Sequence, residues 1–236
     1  MRMLIEDIIT TADSISSAIP SALYPASNLL HPIVARRYQG YGNADIITID
    51  FSSDQEINCI FFSLNNFSSF SAVLKDSGGG TLGTINITSF PQTGRAYFST
   101  VSGVRQIVLN VATASTKVYL GCFRAGLYYE TRNFLNAYAL GLKNNSLHRK
   151  TKLGYSTDTH FTPLKSYRLN FREAQKDEAD EINRLYTLNG SKPIFIDLTH
   201  GNSDYISPLY ATIEKAPDPT KADRRYSYKL DIEEAR

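Results

Sequence analysis

Lys165-Ser166-Tyr167-Arg168-Leu169-Asn170-Phe171-Arg172, with Glu173 to Leu188 behind it and Lys192-Pro193-Ile194-Phe195-Ile196-Asp197-Leu198-Thr199 after that, decides the fold class. Tyr167, Leu169 and Phe171 alternate with Arg168, Asn170 and Arg172, a period of two that predicts a half-buried strand. In the charged segment that follows, Ala179, Ile182, Leu185 and Tyr186 fall on one helical face. Asn189-Gly190 supplies a helix stop. The last stretch returns to strand chemistry. The unit therefore reads strand, helix, strand, and every other segment of the chain reads as short strands and turns.

Working outward, the 236 residues suffice for one large or two ordinary domains. With 42% apolar residues the chain can bury a core, which excludes global disorder. The net charge of +2 comes without a long Lys/Arg run, which speaks against a dedicated nucleic-acid binder. Cys59 and Cys122 both sit in apolar strand-like runs and read as two buried thiols, a bridge requiring neighbouring strands. No stretch approaches the roughly 20 apolar residues of a membrane helix, so no membrane insertion is expected. Glu6 and Asp7 stand where a cleaved signal peptide needs an apolar core. The sequons at Asn66, Asn86, Asn144 and Asn189 would matter only in a secretory pathway.

In the first half, Ile5 to Ser17 predicts an opening strand or strand pair, and Pro20, Pro25 and Pro32 punctuate a loop from Ile19 to Tyr41. Strands are expected at Asp45–Phe51, Ile57–Leu64, Ala72–Asp76, Thr81–Thr88, Ala96–Ser99, Val104–Val111, Lys117–Phe123 and Leu127–Glu130. Ser52-Ser53-Asp54, Asn65-Asn66, Ser77-Gly78-Gly79-Gly80, Gln92-Thr93-Gly94 and Ser102-Gly103 read as the turns between them. So many short strands at regular spacing predict a β-sandwich or barrel. Tyr24-Pro25-Ala26-Ser27-Asn28-Leu29-Leu30, then Ile47-Thr48-Ile49-Asp50-Phe51, then Ile57-Asn58-Cys59-Ile60-Phe61-Phe62, resemble the discoidin (factor 5/8 type C, galactose-binding-like) jelly-roll across roughly residues 8 to 129. That resemblance implies a sandwich with ligand contacts in loops at one end. The matching loop runs from Arg36 to Asn43, with Arg36, Arg37, Tyr38 and Tyr41 as candidate contact residues for protein or glycan. The usual loop Trp and any calcium-ligand cluster are absent.

In the second half, residues 131–150 turn polar and basic and read as a linker or arm between a domain at 1–130 and another at 151–236. His148, Arg149, Lys150 and Lys152 form a basic run, expected as a solvated edge or the lining of a charged passage. Leu209–Glu214 and Arg225–Glu233 read as further strands. In the second, Tyr226, Tyr228, Leu230 and Ile232 alternate with Ser227, Lys229 and Asp231. The Tyr167–Phe171 strand, the acidic helix, Gly190-Ser191-Lys192-Pro193-Ile194-Phe195-Ile196-Asp197 and the closing Tyr226-Ser227-Tyr228-Lys229-Leu230-Asp231-Ile232-Glu233-Glu234 together resemble the tail-tube and distal-tail proteins of long-tailed bacteriophages. That resemblance covers roughly residues 132 to 236. It implies a small β-barrel or sandwich with one helix and a homo-oligomeric ring, sixfold by family habit. It also implies contacts with other tail or baseplate proteins, a lumen through which DNA passes, and a place in a virion made in the host cytoplasm. The sandwich preceding the barrel departs from the usual distal-tail order.

Chemistry is sparse. Asp177, Glu178, Asp180 and Glu181 read as a solvated helix face rather than a carboxylate cleft. His31, His148, His160 and His200 lack metal-ligand spacing. Asp158-Thr159-His160 and Asp197-Leu198-Thr199-His200 place an acid near a histidine, with no Gly-x-Ser-x-Gly elbow to supply a nucleophile. Gly78-Gly79-Gly80 lacks the Gly-Lys-Ser/Thr ending of a phosphate loop and reads as a hairpin turn. The expectation is therefore a mainly β protein, a structural part of a phage tail tip or baseplate. It would use no enzyme chemistry, cofactor or metal, and the sandwich would make peripheral protein or glycan contacts. A carbohydrate-binding module without a virion role is the alternative.

Overall fold

A computed structural model describes residues 2–31, 36–87, 93–131, 138–143, 147–150, 156–159, 164–190, 192–198, 209–215, 220–222 and 225–235. In chain order the strands are β1 (Arg2–Asp7), β2 (Ser14–Ser17), β3 (Tyr38–Gln39), β4 (Ala44–Asn65), β5 (Ser69–Lys75), β6 (Thr81–Ile87), β7 (Thr93–Ala112), β8 (Tyr119–Glu130), β9 (Tyr138–Lys143), β10 (Leu147–Lys150), β11 (Ser156–Thr159) and β12 (Leu164–Ala174). Helix α1 (Lys176–Asn189) comes next, and β13 (Ile194–Asp197), β14 (Leu209–Ile213), β15 (Thr220–Ala222) and β16 (Arg225–Glu234) close the chain. The protein is mainly β, as the periodicities require. It divides into one unit of Met1–Glu130 with Ile194–Tyr210 and another of Thr131–Pro193 with Ala211–Ala235. The strand–helix–strand stretch is thus shared: β12 and α1 lie in the second unit and β13 in the first.

The first unit is an antiparallel sandwich built on two long strands. β4 and β7 pair from Ala44↔Ala112 to Ser63↔Thr93, with register shifts between Asp50 and Cys59. Ser52-Ser53-Asp54 and Ser102-Gly103, expected to end strands, instead lie inside continuous ones. Bulges bend a strand without ending it, and Gly103 takes the left-handed conformation one of them needs (φ +77°). Before the bend β4 pairs β2, and β7 beyond it pairs β5, which pairs β6. After the bend β4 pairs β8, which pairs β1 and, at its start, β3. Two layers result. Ile47, Ile49, Leu109, Phe70 and Leu74 from one meet Ile60, Phe62, Phe123 and Ala125 from the other in a single core. Each such buried Ile, Leu or Phe side chain stabilises the fold by roughly 1.5–3 kcal/mol.

In the second unit β12 pairs β16 on one side and β9 on the other, and β16 also pairs β15 and residues 211–213 of β14. The registers Tyr167↔Ile232, Leu169↔Leu230 and Phe171↔Tyr228 put all six side chains on the buried face. Phe171 and Tyr228 stack with ring centroids 4.4 Å apart. On the other face Arg168 Nε donates to Asp231 at 2.7 Å. The helix buries Glu178, Ala179, Ile182 and Leu185, and ends where the Gly190 N–H reaches the Tyr186 carbonyl at 2.7 Å with Gly190 at φ +55°. Glu178, expected on a solvated face, is 2% exposed, because it stands one turn before Ile182 on the apolar stripe. Residues 131–150, expected as a linker, contain two strands: β9 extends the sheet and β10 forms a two-stranded ribbon with β11. Tyr138, Leu140 and Leu142 alternate in β9, a short period-two run that the surrounding Asn and Lys residues obscure.

Candidate functional site

One end of the sandwich gathers the loops that precede β4, β5 and β8. The chain from Gln39 to Gly42 runs beside Val118 and Tyr119. Gln39 pairs with Tyr119, the Gly40 N–H donates to the Val118 carbonyl, and the Val118 N–H donates to the Gly42 carbonyl at 3.0 Å. Asn66 pins the third loop, its amide donating to the Lys117 carbonyl at 2.8 Å and accepting from the Tyr119 N–H at 3.0 Å. On this fixed frame Tyr41 is 59% exposed, with Lys117 Nζ 5.8 Å from its ring centre. Arg37 lies 5.5 Å from both the Tyr24 and Tyr119 rings. Leu23 on the adjoining loop is 81% exposed. The end therefore presents an open aromatic ring and an exposed Leu among cations, on loops braced by main-chain bonds.

The contact residues expected here separate into two kinds. Arg36, Arg37 and Tyr41 reach the surface. Tyr38 does not: it is 0% exposed and belongs to the core. Ser17 Oγ donates to Asp45 Oδ2 at 2.6 Å, so its one hydrogen is spent and the Tyr38 hydroxyl, 2.8 Å away, donates to it. The alternation in β3 explains this, since Tyr38 and Gln39 must face opposite ways and the inward one meets the core. Leu23, Tyr24, Lys117 and Tyr119 join the same end without a sequence signal, because main-chain pairing between distant segments brings them there. Of the basic run, His148, Arg149 and Lys150 lie on β10, and Lys152 lies outside the described residues.

Beside the loop end, on the outward side of the layer β2-β4-β7-β5-β6, is an open hollow of about 880 Å³. Ala18, Ile46, Asn110, Ser71 and Asn86 line it as one cross-strand row, from the registers Ile46↔Asn110, Asn110↔Ser71 and Ser71↔Asn86. The Asn110 amide donates to Ser71 Oγ at 3.3 Å.

The second layer hides its charges. Arg124 is 1% exposed, yet Nε meets Asp7 at 3.0 Å and the two Nη atoms donate to the carbonyls of Leu29, Phe123 and His31 at 2.6–2.7 Å. Asp197, also 1% exposed, accepts from Arg95 Nε at 2.6 Å and from the Tyr97 hydroxyl at 2.7 Å. Burial, then the neighbouring Asp197 carboxylate, push the Tyr97 phenol well above its ordinary value. Burial likewise raises both thiols, Cys122 to about 11, so neither is a ready thiolate nucleophile. β4 and β8 are neighbours, but Cys59 stands opposite Gly126 and Cys122 opposite Ser63. Four residues along a strand, about 13 Å, put the sulfurs out of bridging reach, and both are free. Asp197 is committed to Arg95 and Tyr97; His160 and His200 lie outside the described residues. Among the described residues no group of three or more His, Cys, Asp or Glu could hold a metal ion, and no helix is long and apolar enough to cross a membrane.

No family model matches the chain, and no curated protein matches it. Solved structures do. A fucose binding module of Streptococcus pneumoniae, SpX-3, matches with a TM-score of 0.46 at 12% identity, covering 53% of this chain and 99% of that one. The lectin domain of lectinolysin complexed with Lewis B antigen gives 0.45 at 12% identity, over 51% and 95% of the two chains. Chitosan-binding module 1 from a chitosanase/glucanase of Paenibacillus sp. IK-5 gives 0.44 at 11% identity, over 51% and 98%.

Proposed function

We propose that the first unit is a non-catalytic recognition module that contacts carbohydrate through the loop end carrying Arg36, Arg37, Tyr41 and Lys117. The observation that carries this is Tyr41: a large ring more than half exposed, on a loop that hydrogen bonds hold on both sides. A rigid exposed ring offers its face to the C–H side of a sugar without an ordering cost at binding. The surrounding Arg and Lys donors reach hydroxyl or acidic substituents. The discoidin-like residue pattern supports the same end as the contact surface. The full chain and its Tyr41→Ala variant, titrated against an array of soluble glycans, test this. Saturable binding weakened about tenfold or more by the substitution, with the melting temperature unchanged, is the expected result. Binding to no glycan, or binding indifferent to Tyr41, refutes it.

A second reading concerns the other unit. The ribbon β10–β11 joins no other sheet among the described residues. A lone two-stranded ribbon is marginal in water, and a neighbouring molecule packed on it supplies the missing stabilisation. With the tail-protein resemblance, this supports a role for the second unit in assembly with copies of itself and other tail or baseplate proteins of a phage virion. Light scattering at tens of micromolar decides: a ring-sized particle supports assembly, and a monomer that never enters a larger particle removes it.

A further inference from the structure

We infer that the hollow on the outward side of β2-β4-β7-β5-β6 is a second binding site, separate from the loop end, for an uncharged polyhydroxylated chain. The row Ala18–Ile46–Asn110–Ser71–Asn86 crosses four strands and ends on Ala18, just past β2 and bonded through its N–H to the Ile46 carbonyl, so at about 4.8 Å per step it spans roughly 19 Å. That is the length of several linked sugar rings rather than of one small molecule. Polar and apolar groups share the row. Asn110, Ser71 and Asn86 offer amides and a hydroxyl, each able to donate and accept, and no described residue bonds the Asn86 amide. Ile46, 48% exposed, gives an apolar patch beside them.

Charge decides the ligand class. Among the described residues Asp45 is the one ionisable residue that lines the hollow, and it is turned away: it is 6% exposed, with Oδ1 taken by the Ile46 N–H at 2.7 Å and Oδ2 by Ser17 at 2.6 Å. An anionic or cationic ligand would lose water here and meet no counter-charge. A neutral chain of hydroxyls and C–H faces meets a matching surface. Among the described residues the lining contains no exposed aromatic ring, since Phe70 is 3% exposed and packs in the core. The site therefore favours ligands held by lateral hydrogen bonds over ones that need a stacking platform.

The test uses the full chain labelled with ¹⁵N and three neutral hexasaccharides, cellohexaose, mannohexaose and N-acetylchitohexaose, against hexagalacturonate as the charged probe. The side-chain amide signals of Asn86 and Asn110 are the readout. A neutral probe that moves both signals, with hexagalacturonate at least tenfold weaker, is the expected result. Ser71→Arg fills the row and adds a charge, and should weaken that response at least tenfold. Asn86→Ala, at an exposed position, serves the same purpose should Ser71→Arg alter the fold. No response to any neutral probe at millimolar concentration overturns the inference, as does an equal response to hexagalacturonate or one that survives both substitutions. Tyr41→Ala separates the two sites. It should leave the amide responses intact, and shifts confined to the Tyr41 loop would overturn the second site while leaving the first standing.

Discussion

The two layers of the sandwich turn opposite kinds of polar surface away from their shared core. The first layer shows Asn110, Ser71, Asn86 and Thr48 to solvent and, among the described residues of its hollow, no available charge. The second layer hides Arg124 and Asp197 at 1% exposure, where Phe195 stacks on Phe61 with ring centroids 4.8 Å apart. Charges taken out of water need their hydrogen-bonding positions answered, and four of the five Arg124 N–H groups meet Asp7 and three carbonyls. The open layer needs no such answers because water provides them. A surface free of folding duties is the one that can be given to a ligand, and three substitutions set the layers against each other.

The largest effect belongs to Gly126, where β8 passes β1 and β4 in the hidden layer. A Cβ there would stand 1.6 Å from the Glu6 carbonyl oxygen, in a backbone conformation (φ +152°) that other residues rarely adopt. On its other side Gly126 pairs with Cys59 of β4, whose Sγ donates to the Gly126 carbonyl at 3.3 Å, so β8 is held between two neighbouring strands there. Gly126→Ala should destabilise the protein by about 4 kcal/mol or more in urea unfolding, the range of severe core disruptions. A loss under about 1 kcal/mol would show that the hidden layer is not packed as described.

Next comes the pH response of the Arg124–Asp7 pair. Burial pushes the Asp7 carboxyl up to about 6, while the Arg124 guanidinium and the Ile9 N–H at 3.1 Å draw it down. A carboxyl raised above its unfolded value keeps its proton in the folded chain where the unfolded chain has released it. Its contribution is thus fully present below about pH 4 and is lost as pH rises through about 6. Asp7→Asn cannot titrate. The stability of the native protein relative to this variant should therefore fall, on the order of 1–2 kcal/mol, between pH 4 and pH 7. A difference that stays flat or rises over that range would mean that Arg124 holds the carboxylate ionised throughout.

How much of this was legible depends on distance along the chain. The β12, α1 and β16 periodicities could be read directly, because a strand or helix with one buried face writes its period into neighbouring residues. The turn at Gly78-Gly79-Gly80 was equally local: the Asp76 carboxylate accepts from the Gly78 and Gly80 N–H groups, both at 2.8 Å, and Gly79 sits at φ +82°. What escaped needed long-range pairing. Ser52 to Asp54 looks like a turn until β7 is placed beside it, and Arg124 looks like an ordinary strand arginine until Asp7 and His31 arrive from more than ninety residues away. The loop end was half legible. Arg36 to Asn43 could be picked out as a loop candidate, but whether Tyr38 or Tyr41 faces solvent depends on the pairing of β3 with β8.

The smallest expected effect lies on the open layer, and its smallness is what matters. Asn110→Ala removes one 3.3 Å hydrogen bond to Ser71 from a half-exposed position, where water can replace it. Surface substitutions of this kind stay within about 0.5 kcal/mol of the parent. Urea melts of the variant and the native protein should therefore overlay. If they instead part by about 2 kcal/mol, Asn110 holds the layer together, and the row from Ala18 to Asn86 serves folding as Arg124 does. Overlaid melts leave those amides without a structural task, and the contrast between a hidden face that holds the fold and an open face available to a ligand is sharpened.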